Sequence, residues 1–190
     1  MSMPSIVLRC EKCDDSANTF SLFRNLRYLF KNIDICISKS FGYCIDCDSL
    51  GVIENFDNID YELEQIQYYS DESINRARSV ISINLTPSMM QSSAAPIQKL
   101  TSIAYSLAIA LKRKGDERCL RCLSRNIVEF DGDMNLQYGL GGCFEGKKRT
   151  GFHHPGCGGE YIASGSESRF ILGRNPTYFN ISESWDISKA

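Results

Sequence analysis

The spacing of apolar positions changes character along the chain. Ser5 to Leu8 is apolar and β-prone, and runs directly into Cys10. Between Phe20 and Ile33, the residues Leu22, Leu26, Leu29 and Ile33 recur at helical spacing, with Arg24, Arg27 and Lys31 on another face, which predicts a helix. Ile35 to Ile37 and Leu50 to Ile53 read as strands, the second leaving a turn that Phe41 to Cys44 approaches. The middle reads as helical. Ile59, Leu63 and Ile66 form a short amphipathic stretch, and Ser70, followed by Asp71 and Glu72, suits the start of a helix carrying Ile74, Ala77 and Ile81. Asn84 to Ala95, which contains Pro87, reads as a loop. The next helix is expected to open at Pro96 and to place Ile97, Leu100, Ala104, Leu107 and Leu111 on one face. Lys112 to Lys114 then fill its last turn and Gly115 closes it. From Asp116 onward short β segments and glycine-rich turns return. Ile127 to Phe130 precedes an Asp131-Gly132 turn, and Arg169 to Leu172 faces Thr177 to Ile181 across Gly-Arg-Asn-Pro as a hairpin. The expected class is α+β, in the order β-rich, helical, β-rich.

At 190 residues the chain can bury roughly 70% of the surface its unfolded form exposes. Its 43% apolar and 23% charged residues are the balance of a globular protein, not a disordered one. The most apolar uncharged segment, Leu100 to Leu111, falls well short of the roughly 20 residues that a bilayer requires, so no membrane partner is expected. Met1 to Arg9 lacks the basic and apolar regions of a secretory leader. The chain is therefore expected in the cytoplasm, where the Asn84 and Asn180 glycosylation triplets carry no meaning.

Nine cysteines, an odd number, argue against a closed disulfide framework, and in a reducing compartment thiol pairs at short spacing point to metal. Two ligands separated by two residues reach one ion from a single turn, and two such turns complete a tetrahedron. Cys10-x-x-Cys13 and Cys44-x-x-Cys47, thirty residues apart, predict one site. Cys119-x-x-Cys122 and His154-Pro-Gly-Cys157, thirty-one residues apart, predict a second. His154 keeps the two-residue spacing that His153 breaks. Cys143 is a rival ligand for the second site, and Cys36 reads as a core residue in an apolar strand.

Both ligand sets resemble those of zinc ribbons, in which two cysteine knuckles on β-hairpins clamp one ion. The resemblance implies two structural Zn2+ ions, an N-terminal ribbon-like module over residues 1–57, a helical segment over 58–115 and a C-terminal ribbon-like module over 116–190. Long gaps between knuckles, and Asp14 and Asp48 where glycine is common, depart from the usual ribbon pattern.

Metal-bound thiols are deprotonated, so two loaded sites move the formal charge from −2 to near −5, which disfavours phosphate neutralisation as a mode of binding. Arg24, Arg27 and Lys31, and the Lys147 to Arg149 run near Phe144 and Phe152, are the features that would suit nucleic acid. Gly139 to Cys143 with His153 nearby is the feature that would suit a thiol hydrolase. Complete ligand sets leave no open coordination position for chemistry. The expectation is therefore a non-catalytic, partner-binding protein of the inhibitor, adaptor or immunity type. Tyr68, Tyr69, Tyr161, Phe170, Tyr178, Phe179 and Trp185 are candidate protein-binding anchors.

Overall fold

The computed structural model describes residues 3–82, 87–167, 169 and 175–190. In chain order the first half carries β1 (Ile6–Cys10), β2 (Ser16–Asn18), β3 (Leu26–Phe30), β4 (Ile33–Cys36), β5 (Lys39–Cys44), β6 (Ser49–Glu54) and α1 (Ile59–Ser82). Then follow α2 (Pro87–Arg113), β7 (Ile127–Glu129), β8 (Gln137–Tyr138), β9 (Phe144–Glu145), β10 (Lys147–His153), β11 (Glu160–Gly165), β12 (Thr177–Ile181) and β13 (Ile187–Lys189). The chain thus combines helices with several sheets, as an α+β class requires.

Two compact units form, and neither follows the sequential division at residues 57 and 115. A β unit comprises Met1–Asn25, Lys39–Asn55 and Asp116–Thr177, and a helical unit comprises Leu26–Ser38, Phe56–Gly115 and Tyr178–Ala190. All the cysteine knuckles fall in the β unit, not in two modules flanking a helical segment. The cause is strand pairing across long separations. In the β unit, one sheet has the order β10-β11-β1-β2 and another the order β6-β5-β7. Strand β1 runs antiparallel to β11 with Cys10 opposite Tyr161, and β5 runs antiparallel to β7 with Cys44 opposite Ile127. Alternate residues of these strands bury one apolar cluster, in which Leu8, Phe41, Tyr43, Leu50, Phe152 and Tyr161 meet.

The helix expected over Phe20 to Ile33 is replaced by a 3-10 turn at Thr19–Phe23, in the β unit, and by the hairpin β3–β4 of the helical unit. Leu26, Tyr28 and Phe30 are buried while Arg27 and Leu29 are less so, the two-residue period of a strand. Lys31 and Asn32 take φ of 49° and 66°, the paired left-handed residues of a two-residue hairpin turn, so Phe30 faces Ile33. Cys36, expected in the core, is exposed, because its neighbours Ile35 and Ile37 face inward on the alternating strand.

The two helical stretches expected at Ile59 and Ser70 join into one helix, α1, with Asp60 and Glu62 at its positive end. Helix α2 begins at Pro87 instead of Pro96. Pro87 itself suits a first turn, and Ser88 to Ala95 contain nothing that forbids a helix. Its end is as expected, with Lys112 and Arg113 in the last turn and Gly115 at φ 87°. Thr177 to Ile181 forms a strand, but it pairs with β13, and its expected partner falls largely outside the described residues.

One half-buried carboxyl sets a pH signature for this unit. Ser106 Oγ donates to Glu62 Oε1 at 2.7 Å, while the buried Oε2 has no partner. Burial raises the Glu62 pKa, outweighing the Ser106 bond. A raised carboxyl favours the fold while protonated, and that contribution is lost as pH rises from the ordinary glutamate value through the folded one. Glu62→Gln is expected to raise the melting temperature near pH 7 and to change it little near pH 4. Equal shifts at both would refute this account.

Candidate metal centres

Each knuckle is a tight turn closed by the backbone in the same way. Cys119 N donates to Ser124 O at 2.9 Å and Leu123 N to Cys119 O at 2.8 Å. His154 N donates to Gly159 O at 2.7 Å and Gly158 N to His154 O at 2.8 Å. Cys10 N donates to Asp15 O at 3.0 Å, and Cys44 faces Ser49 across the β5–β6 hairpin. The residue after three of the knuckles takes positive φ, at Asp48 (48°), Leu123 (67°) and Gly158 (67°). A short Asp side chain tolerates this conformation. The Asp48 carboxylate also accepts from Tyr43 Oη, which explains an aspartate where glycine was expected.

The knuckles pair as nested sets. Cys44, Cys47, Cys119 and Cys122 form one group, their sulfurs all within 4.8 Å of one another, with Cys44–Cys122 at 3.5 Å and Cys47–Cys119 at 3.9 Å. Cys10, Cys13 and Cys157 form the other, with Cys10–Cys157 at 3.4 Å and Cys13–Cys157 at 3.6 Å. Both groups could hold metal ions. The expected partnerships, Cys10 and Cys13 with Cys44 and Cys47, and Cys119 and Cys122 with His154 and Cys157, are not those that the fold brings together. The β1–β11 pairing draws the first knuckle to the last. Leu120 N donates to Val52 O and Ile45 N to Asn126 O, which draws the two middle knuckles together.

The four-thiol group fits a tetrahedral ion of zinc's size. Zinc–sulfur bonds of about 2.3 Å place sulfurs about 3.8 Å apart, close to the separations seen. Cys44 and Cys119 are 1% and 2% exposed. Burial, with the neighbouring thiols Cys122 and Cys119, pushes Cys44 up to about 11 against the Cys47 amide, and likewise raises Cys47. Cys122 moves the other way, since the Ser124 amide and the thiols of Cys47 and Cys44 outweigh its burial. In the outer group burial also opposes ionisation of Cys10, but the Lys12 amide and the Cys157 and Cys13 thiols lower it. Cys13 is pushed up to about 11, against the Asp15 amide, by burial and by Cys10 and Cys157. Each group thus has sulfurs ready to release protons to a cation beside others held as thiols without one.

His154 occupies the first-ligand position of its knuckle but is not a member of the three-thiol group. Its Nδ1 accepts the amides of Gly156 at 2.9 Å and Cys157 at 3.1 Å, the task a first-position sulfur performs when Cys119 Sγ accepts Arg121 N. The ring is 5% exposed and lies between Tyr43, at a centroid distance of 4.7 Å, and Tyr161, stacked at 5.9 Å. His153 stands on β10 opposite Glu160. Cys143 belongs to neither group among the described residues, and its carbonyl accepts Gly139 N in the β8–β9 turn.

Carboxylates outside the ligand motifs brace the two centres. Asp15, two residues after Cys13, accepts from Tyr161 Oη and from Leu50 N at 3.0 Å, so it bridges β11 to β6. The buried Glu54 accepts Arg118 N at 3.0 Å beside Cys119. An acidic residue flanking a knuckle was the only trace of this in the sequence. No family model, curated protein or solved structure matches the chain.

Proposed function

We propose that this chain is a two-zinc protein whose ions maintain the β unit and which acts by binding another protein, as an inhibitor, adaptor or immunity-type protein does. The carrying observation is the Cys44, Cys47, Cys119 and Cys122 group. Four convergent thiols fill a tetrahedron and leave no position for a reactant, which suits a structural ion. Zinc is the natural occupant of such a soft, tetrahedral set in a cell.

Four of the six basic residues that would meet phosphates pair with acids instead. Lys148 pairs with Asp133, Arg149 with Glu11 and Glu160, Arg27 with Asp34 and Lys31 with Glu183. Of the candidate anchors, Tyr161 and Phe179 are core residues, while Tyr68 stands exposed on α1 one heptad from the equally exposed Tyr61. These two tyrosines are the natural protein-binding face. Phe170 lies outside the described residues.

Native mass spectrometry of protein from its own cells tests the reading. Two zinc ions and a retained protein mass are expected, with Tyr68→Glu losing the partner and keeping both ions. Material that carries only nucleic acid would end it.

A further inference from the structure

Cys10, Cys13 and Cys157 converge in the outer centre, and a tetrahedral ion takes four ligands. The inner centre is built from two complete knuckles. The outer group takes both ligands of Cys10-x-x-Cys13 but only the second of His154-x-x-Cys157. His154 holds the remaining first place.

That place is built like its counterpart in the inner centre. His154 N donates to Gly159 O and Gly158 N to His154 O, as Cys119 N donates to Ser124 O and Leu123 N to Cys119 O. His154 Nδ1 accepts Gly156 N at 2.9 Å, where Cys119 Sγ accepts Arg121 N at 3.4 Å. The nitrogen thus stands where a sulfur of the inner group stands. Alternation at the end of β10 turns this side chain inward, since Phe152 and His154 are buried and His153 between them is exposed.

The ring also lies beside the outer thiols. Tyr43 and Tyr161, which hold it, share a buried cluster with Cys10, and Cys13 packs against that cluster. Tyr161 is the partner of Cys10 in the β1–β11 register. Gly159 touches both sides: its carbonyl accepts His154 N, and a Cβ placed on it would come 2.6 Å from Cys10 Sγ. The acids nearby are engaged. Asp15 accepts from Tyr161 and Leu50, Asp48 from Tyr43, and Glu11 and Glu160 from Arg149.

We propose that His154 is the fourth ligand of the outer centre, which makes it a zinc site of three cysteines and one histidine beside the all-cysteine inner one. This rests on the two-ion reading. A neutral imidazole has one acceptor nitrogen, here Nδ1, and Nε2 is uncommitted. The ring nitrogens do not come within 4.8 Å of all three sulfurs, so binding draws the ring toward them. Nδ1 exchanges its two amide bonds for one to the ion, Nε2 keeps the ring proton, and the three thiols release theirs to solvent. The two backbone bonds keep the turn closed.

The test loads the full chain, its histidine rings labelled with nitrogen-15, with cadmium-113, whose magnetic resonance signal reports the donor set. Two cadmium resonances are expected, one of them coupled to a ring nitrogen of His154 and still coupled in His153→Asn. His154→Asn keeps an acceptor for the Gly156 and Cys157 amides but has no imidazole, so it is expected to lose the outer resonance and keep the inner one. His154→Cys, which copies the first place of the Cys119 knuckle, is expected to bind two ions. Two bound ions with neither coupled to His154 would overturn the proposal, as would both resonances unchanged in His154→Asn. Fewer than two ions on the unaltered chain would instead show that the two-ion reading had failed, and the proposal with it.

Discussion

Removing divalent metal with a strong chelator is expected to collapse the β unit and to spare the helices. Structural zinc contributes on the order of 10 kcal/mol per site near neutral pH, comparable to the whole stability of an ordinary domain. The β unit is expected to depend on such ions. Its strands are short, β7, β8 and β9 having three, two and two residues, and its turns converge on sulfurs that repel one another once ionised. Helices α1 and α2 carry no member of either thiol group. Near-ultraviolet circular dichroism, dominated in the β unit by the packed Tyr43 and Tyr161, is expected to flatten on chelation. The far-ultraviolet helical signal should persist, and zinc should restore the first. A metal-free protein with an unchanged near-ultraviolet spectrum would refute the structural role.

The two centres are expected to differ sharply in tolerance to mutation. Cys119→Ser removes a sulfur that is almost fully buried. That residue also sits where the knuckle joins β6, through the Ile53–Cys119 bridge and the Leu120 N to Val52 O bond of 2.9 Å. A serine there leaves an unfilled ligand position and an unmet polar group in the core, so loss of the inner ion and of a cooperative thermal transition in the β unit is expected. Cys157→Ser changes an exposed sulfur on the outer hairpin, where β10–β11 pairing and the Thr150 and Glu160 bonds remain. This variant should keep the inner ion and fold. Metal counts and thermal melts of the two proteins decide the matter, and equal damage from both would contradict the distinction drawn between a buried and an exposed sulfur.

How far the sequence could be read depends on the range of the forces involved. The four-residue knuckles are local: ligand spacing, a following left-handed residue and a flanking strand all lie within about six positions, so Cys10, Cys13, Cys44, Cys47, Cys119, Cys122 and Cys157 could be singled out from the chain alone. The end of α2 was legible for the same reason. Leu22, Leu26, Leu29 and Ile33 misled, because four apolar residues at that spacing also satisfy a strand, a turn and a second strand, and the Lys31-Asn32 turn carries no glycine to announce it.

The amino-acid order alone therefore determined that this protein bears thiol knuckles and an α+β mix of elements. Which knuckle meets which was decided only in three dimensions. The β1–β11 and β5–β7 pairings bury one shared apolar face, and hydrophobic burial and ladder hydrogen bonds do not register how many residues separate the strands that supply them. The same pairings turned His154 toward backbone amides and two tyrosines and left four thiols in one group and three in the other.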